Sequence, residues 1–443
     1  MPDLDFLIAE FQERDLPNST ARALTLPQIP RKAAVVVGMR RTGKTFLMFQ
    51  QVQRLVASGL DKRDILYVNF EDDRLRVDEP GLLGDLLEAF YRFNPPARER
   101  GAHLFLDEIQ VVPGWPKFVR RVLDTENVQV VLSGSSAKLL STEVATELRG
   151  RGMPVELFPF SFIESALAAD ITVPETLPPG SRKRSRLEAH LDTYLSAGGF
   201  PEVQTLAPRE RIQTLQDYVE LVLLRDVIER HRIENAVAAR AFARLLLQSP
   251  ARAFTVNKAH GDLRSRGLQV SKDTLHALLD HFQDAYLVFA IPVFRKSERA
   301  RATNPRKLYP IDPGLAAAMS HATATDVGAR LENAVFLELR RRHGRLLQGQ
   351  VSYYLTASGR EVDFVVGDLF HQRAGRLVQA CADLSEPQAR EREVRALVEA
   401  MTETGLDRAE IVTLREEGTV KTDAGTIRIV PAWRWLLEKG EPG

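Results

Sequence analysis

Residues 38–45 read Gly38-Met-Arg-Arg41-Thr42-Gly43-Lys44-Thr45, the pattern G-x-x-x-x-G-K-T, and that spacing points to chemistry on a polyphosphate. Its two glycines free the backbone to turn N–H groups onto phosphate oxygens, with the positive end of a following helix behind them. Lys44 would reach the β- and γ-phosphates, Arg41, Thr42 and Gly43 would line the loop, and the Thr45 hydroxyl would sit on Mg2+. Downstream, His103-Leu-Phe-Leu106-Asp107-Glu108 is a short apolar run that ends in two acids. In such a site Asp107 holds the metal, usually through water, and Glu108 orients or deprotonates the attacking water. ATP and Mg2+ are the cofactors these residues would take.

A phosphate loop needs a strand before it and a helix after it. Ala33-Ala-Val-Val-Val37 predicts a buried strand, and the run from Phe46 to Val56 predicts the helix. Further strands are predicted at 65–70, 104–107 and 128–132, with helices between them. That alternation predicts an α/β fold with a parallel sheet covered on both faces and its ligand at the carboxyl ends of the strands.

The chain has 443 residues, a formal net charge of +1, and 27% charged against 44% hydrophobic residues. Two to four domains of ordinary globular composition are expected. A near-neutral total neither requires nor excludes nucleic acid, because a local basic patch can hide in it. The single cysteine, Cys381, leaves no internal disulfide and fits a reducing cytoplasm. No secretory signal or apolar run of membrane-span length is visible, so a cytoplasmic protein with no membrane partner is expected.

Composition divides the remainder. An exposed loop is expected near 172–187, rich in Pro and then in basic residues. Helical patterns follow to about 248, broken by Gly198-Gly199-Phe200-Pro201. The expected domains are a nucleotide core at 1–165, a helical lid or linker at 166–234, a winged helix at 235–310 and a C-terminal α/β domain at 311–443. The winged-helix reading rests on helices from Ala236 to Leu247, from Thr255 to Arg266, and from a Ser271 cap through Ala285. In the third helix Leu275, Leu278, Leu279 and Phe282 would face a core, with Lys272, Asp273, His276 and His281 outward. A strand-like run from Tyr286 to Phe294 leads into Arg295, Lys296, Arg299 and Arg301, then Arg306 and Lys307. Between 291 and 310 there are four Arg and two Lys against one Glu. A basic hairpin there would suit DNA phosphates, although an exposed wing can equally serve protein contacts. Beyond it a helix from Val327 to His343, strands at 351–354, 360–366 and 376–381, a helix near 386–403, a strand at 409–414 and a Trp433–Trp435 segment are predicted.

Several short motifs together resemble a family of archaeal and bacterial AAA-type ATPases. They are Leu106-Asp-Glu-Ile-Gln110 with Gly114-Trp115, Leu148-Arg-Gly-Arg151, the Gly-Gly-Phe-Pro turn, Glu332-Asn333, and Glu361-Val-Asp363-Phe. The resemblance covers nearly the whole chain. It implies a P-loop core, a lid, a winged helix and a C-terminal domain similar to Holliday-junction resolvases, with a restriction-endonuclease-like fold. By that resemblance Ser135 would sense the γ-phosphate, unless it belongs to an ordinary Ser/Gly turn. Arg149 or Arg151 would act as an arginine finger across a subunit boundary of a homo-oligomer.

The nuclease pattern of that fold uses an acid on a helix, an acid on a strand, and a further strand bearing acid-x-lysine. Glu332 and Asp363 match the first two positions. The third strand reads Gln379-Ala-Cys381, an amide in place of a carboxylate and a thiol in place of a cation. A degenerate domain with little or no cleavage, retained for binding DNA, is therefore expected. An ATP-gated metal-dependent nuclease is the alternative, since a neighbouring residue can substitute in space. Arg340, Arg341, Arg342 and Arg345 would suit a phosphate backbone or a solvated helix face. The expected function is ATP-driven binding and remodelling of DNA, branched DNA such as Holliday junctions being favoured. A nucleotide-gated switch acting on protein partners is the other reading.

Overall fold

Five short segments of the N-terminal third carry too little polar residue for a solvated face, and a sheet covered on both sides accommodates them. In the computed structural model, which describes residues 4–134, 148–174, 180–320, 327–344 and 350–438, they form one parallel sheet. Chain order is α1 (Leu4–Glu13), β1 (Ala33–Val37), α2 (Lys44–Ala57), β2 (Ile65–Asn69), α3 (Leu82–Phe93), a single turn α4 (Ala97–Arg100), β3 (Ala102–Asp107), α5 (Trp115–Thr125), β4 (Val128–Gly134) and β5 (Gly152–Glu156). The strands are parallel and lie in the order β2-β3-β4-β1-β5. Every residue of β1 is buried. Leu47, Met48 and Val52 of α2 pack with Ala34, Val36 and Phe105 of the sheet. The edge strand β5 is absent from the sequence-based expectation, because its Gly and Pro weaken the strand pattern; an edge is where a sheet tolerates Pro.

The chain divides at Leu157 into two compact units, Met1–Leu157 and Phe158–Gly443. In the second, α6 (Phe162–Ala168) and α7 (Ser181–Ala197) precede the Gly198–Pro201 break, and α8 (Pro208–Val222) continues through a π-helical stretch, Leu223–Glu229. The basic run Ser181–Arg186, expected as loop, is the first part of α7. Arg and Lys are good helix formers that give no apolar periodicity to read. Three helices follow within one residue of the expected bounds: α9 (Ala236–Leu247), α10 (Val256–Ser265) and α11 (Lys272–Asp284). The Thr255 and Ser271 side chains accept from the N–H groups of Lys258 and Thr274, as N-caps do. Leu275, Leu278, Leu279 and Phe282 are buried.

Strands β6 (Ala253–Phe254), β7 (Val288–Ile291) and β8 (Arg306–Pro310) make an antiparallel sheet in the order β6-β8-β7. Between β7 and β8 stands a short helix, α12 (Glu298–Thr303), capped by Ser297. The basic stretch 298–303 is thus helical and forms no arm of a hairpin.

The last elements are α13 (Pro313–Met319), α14 (Val327–His343), β9 (Gln350–Leu355), β10 (Glu361–Asp368), β11 (Arg373–Ala380), α15 (Pro387–Thr404), β12 (Arg408–Thr413), β13 (Gly418–Thr422), β14 (Gly425–Pro431) and α16 (Ala432–Leu437). Their strands form a mixed six-stranded sheet in the order β13-β14-β12-β11-β10-β9. Val365, Leu377, Leu397 and Ile411 share its core. The hairpin β13–β14 is an addition to the expected elements; the alternation of exposed and half-buried residues in β13 is readable in Thr-Val-Lys-Thr. Among the described residues no helix is long and apolar enough to cross a membrane.

Candidate functional site

The strand order sets the geometry. β1 and β3 are separated by β4, so the loop after β1 and the acids after β3 must meet across the carboxyl end of β4. The loop is held tightly: a Cβ on Gly38 would lie 2.2 Å from the Leu157 carbonyl oxygen, which leaves no residue but glycine there. Gly43 caps α2 at φ +95°, and Arg41 also adopts a left-handed conformation. The Thr42 hydroxyl donates to Met39 O at 2.9 Å. Arg22, almost fully buried, donates to the Thr42 carbonyl at 2.7 Å and ties the loop to the segment before β1. Sequence reasoning missed Arg22 because no motif marks it.

Lys44 is 5% exposed, and its Nζ lies 3.3 Å from Gly38 O and 3.3 Å from Glu108 Oε1. Thr45 Oγ1 donates to Asp107 Oδ2 at 2.6 Å, and the Tyr67 hydroxyl donates to the same oxygen at 3.0 Å. Ser133, at the end of β4, donates to Asp107 Oδ1 and accepts from the Glu108 N–H at 3.0 Å. Glu108 has φ +53°, an uncommon conformation for a non-glycine residue that is retained where function requires it. The Gln110 amide donates to Glu108 Oε2 at 2.6 Å.

Burial raises the Asp107 carboxyl above the ordinary range, against the opposing Ser133 and Thr45 hydroxyls. Burial also pushes Glu108 upward, but the Lys44 ammonium, the Gln110 amide and Arg40 outweigh it and leave Glu108 lowered. Glu108 is therefore ionised at neutral pH, the form a base requires. The hard oxygens of Thr45 and Asp107, already at hydrogen-bond distance, are the donor set Mg2+ takes.

Gly38, Arg41, Thr42, Gly43, Lys44, Thr45, Asp107 and Glu108 are thus brought together as the sequence implies. Ser135 lies outside the described residues. Ser133 and Tyr67 join the site without a sequence signal, since only strand order carries them to Asp107. Ser133→Ala should cost about 1–3 kcal/mol of stability, because two buried groups lose a partner. Chemical unfolding would measure that loss. Arg151 is engaged by Asp124 and by the Arg120 carbonyl, whereas Arg149 is exposed in a turn.

In the second unit, cations expected to face DNA are taken up internally. Arg295 donates to Leu355 O at 2.7 Å, and Arg301 donates to the carbonyls of Arg295 and Lys296 at 2.8 and 2.9 Å. Arg341 donates to Pro159 O at 3.1 Å, and Arg342 donates to Trp435 O at 2.7 Å while lying over that indole. Arg345 lies outside the described residues. Lys272, Lys296 and Arg299 remain on the surface. His281, expected outward, stacks on His231 at 3.6 Å.

Lys307 departs furthest from expectation. It is 2% exposed, and its Nζ lies 2.6 Å from Glu332 Oε1, 2.9 Å from Asp363 Oδ1 and 3.0 Å from Glu361 Oε1. Burial acts to lower its pKa, but the charges of Asp363, Glu332 and Glu361 outweigh it and hold it raised. Burial and the Asp363 charge push Glu332 up to about 8, against the pull of Lys307. Gln379 accepts from the Asp363 N–H at 3.0 Å and donates to Glu393 at 2.7 Å. The Cys381 thiol donates to the nearby Asp383 carbonyl at 3.2 Å. The cation and third carboxylate missing from the third strand are present in space, from β8 and β10.

Residues 30–166 match the model of an AAA domain, and residues 188–326 match that of a domain of unknown function, DUF8612. The Methanocaldococcus jannaschii protein named Uncharacterized protein MJ1544 is 34% identical over 427 residues, covering 94% of this chain and 90% of that one. A Haemophilus influenzae protein, also named only as uncharacterized, is 27% identical over 331 residues, covering 75% of this chain and 78% of its own. Among solved structures, the Walker-type ATPase PABY2304 of Pyrococcus abyssi aligns at 15% identity with a TM-score of 0.37, covering 72% and 94% of the two chains. A TM-score that low carries no argument.

Proposed function

We propose that this chain, which belongs to the family of AAA-domain proteins that includes the Methanocaldococcus jannaschii relative, hydrolyses ATP and uses the cycle to bind and remodel DNA. The observation that carries the reading is the meeting of Lys44, Thr45, Asp107 and Glu108 at one end of a parallel sheet. Lys44 and the loop amides bind the β- and γ-phosphates. Thr45 and Asp107 hold Mg2+, which when bound neutralises charge developing on the phosphate oxygens. Glu108 orients water and accepts its proton. Once Lys44 turns to phosphate, Glu108 loses the cation that lowers its pKa, so nucleotide binding itself strengthens the base. Arg149, being exposed, is better placed than Arg151 to reach a neighbouring subunit, and Arg151 would have to leave Asp124.

Support for DNA comes from α9–α11 with the β6-β8-β7 sheet, a layout that fits a winged helix, and from surface Lys272, Lys296 and Arg299. Branched DNA is the favoured substrate. Gel shifts and ATPase titrations with linear and four-way DNA, across protein concentration, test all of this. Retention at low salt, faster turnover with junction DNA and turnover per chain that rises with concentration are expected. No retention, with turnover indifferent to DNA, would sink the DNA reading; turnover indifferent to concentration would sink the finger. Combined Lys272→Glu, Lys296→Glu and Arg299→Glu changes should weaken binding and lower the salt slope by about one for each phosphate no longer neutralised. Binding that keeps its slope would assign this surface to other contacts.

A second reading, a nucleotide-gated switch acting on protein partners, is favoured by the internal use of Arg295, Arg301, Arg341 and Arg342. Slow turnover that DNA leaves unchanged is its signature.

A further inference from the structure

Alternate residues of a strand share a face, so Lys307 and Tyr309 of β8 point the same way, toward α14 and β10. Both end on Glu332: Lys307 Nζ at 2.6 Å and the Tyr309 hydroxyl at 2.7 Å, on the same oxygen. Asp363 and Glu361 approach the same nitrogen from β10 at 2.9 and 3.0 Å. An ammonium has three N–H donors, and three carboxylate oxygens stand around it, one for each. A buried lysine without such partners would be strongly destabilising.

Carboxylate oxygens converging on one buried point are ligands that a hard divalent cation takes, at about 2.0–2.6 Å. Here the point is a nitrogen. The remaining groups are occupied as well. Asp363 Oδ2 accepts from the Ala380 N–H at 2.9 Å. The Gln379 oxygen is used by the Asp363 N–H and its amide by Glu393. The pocket therefore does not fit a bound metal while Lys307 is in it.

We propose that Lys307 is a built-in cation standing where a divalent metal would sit, so that Glu332, Glu361 and Asp363 form a latent metal site closed by the chain's own lysine. A metal-dependent nuclease route through this pocket is closed with it. Removing the ammonium leaves the carboxylates of Glu332, Glu361 and Asp363 without a counter-charge, and a divalent cation supplies more positive charge than the lysine did once the oxygens close in by a few tenths of an ångström.

The test counts Mn2+ bound to the nucleotide-free full chain by electron paramagnetic resonance. K307A should bind one more Mn2+ per chain than the wild type, and K307A/D363N should lose it. Mn2+ should raise the melting temperature of K307A more than that of the wild type. Terbium luminescence sensitised by the neighbouring Tyr309 should appear with K307A and fade in the double variant. A folded K307A with no added site would overturn the proposal. So would a wild-type count that falls by one in E332Q, or junction cleavage by the wild type with Mn2+ that D363N abolishes. Should K307A fail to fold, K307Q takes its place. Should both fail, the wild type against E332Q decides: equal counts support the proposal, and one fewer in E332Q overturns it.

Discussion

Lys44→Ala is expected to abolish detectable ATP turnover, by at least about a hundredfold, the scale of losing one preorganised electrostatic partner of a transition state. The physical basis is the position of Nζ. It lies at the mouth of the loop, within 3.3 Å of both Gly38 O and Glu108 Oε1, with 5% of the residue exposed. The substitution also leaves Glu108 without its Lys44 partner, so the glutamate carboxyl should rise, with the Gln110 amide and Arg40 still opposing burial. Equilibrium binding of a fluorescent ATP analogue and steady-state phosphate release measure the two effects. Normal turnover in Lys44→Ala would remove the loop from the chemistry.

Glu108→Gln separates binding from hydrolysis. The amide keeps the size of the side chain but cannot accept the water's proton, and general-base catalysis is worth about 10²–10⁴-fold. Turnover should fall within that range while ATP affinity stays close to the wild type. The backbone should tolerate the change, because its left-handed turn is held by the Glu108 N–H bond to Ser133 Oγ, which the amide does not disturb. Binding and single-turnover hydrolysis on the same preparation decide the matter. Loss of ATP binding together with turnover would show that Glu108 holds the site's shape and does not act on water.

The two variants also distinguish the nucleotide site from the lysine pocket. Lys44 and Glu108 belong to one compact unit and Lys307 with its acids to the other, so K307A should show its extra Mn2+ equally in a Glu108→Gln background. Sites without shared partners behave additively.

Much of the fold was legible because its signals are local. The phosphate loop and the helix start behind it are consecutive in the chain, and their conformational demands on glycine fall on Gly38 and Gly43 alone. The caps at Thr255 and Ser271 bond to N–H groups three residues on. Val327–His343 and Ala236–Leu247 show their helical period in their own apolar residues. Where the local signal is thin, the folded chain departs from what the sequence predicts. Ser181–Arg186 has charge and no period, β5 carries Gly and Pro, and the segment after β7 is basic in either a hairpin or a helix.

The sequence by itself determined that a triphosphate loop stands before two acids, since the spacing of consecutive residues fixes that chemistry wherever the chain goes. Tertiary structure alone decided which distant groups complete each site. Thr45 meets Asp107 across 62 positions, Ser133 meets it across 26, and Lys307 meets Glu332 and Asp363 across 25 and 56. Charge does not reveal whether a lysine will be exposed, because a solvated ammonium is the ordinary state. Only a pocket of carboxylates, assembled by the pairing of β8 with its neighbours and by the approach of α14 and β10, makes burial of Lys307 favourable. That is why Lys307, read as part of a DNA-facing basic run, and Gln379, read as a defect in an acidic strand, belong in the folded chain to one ion-paired and hydrogen-bonded cluster.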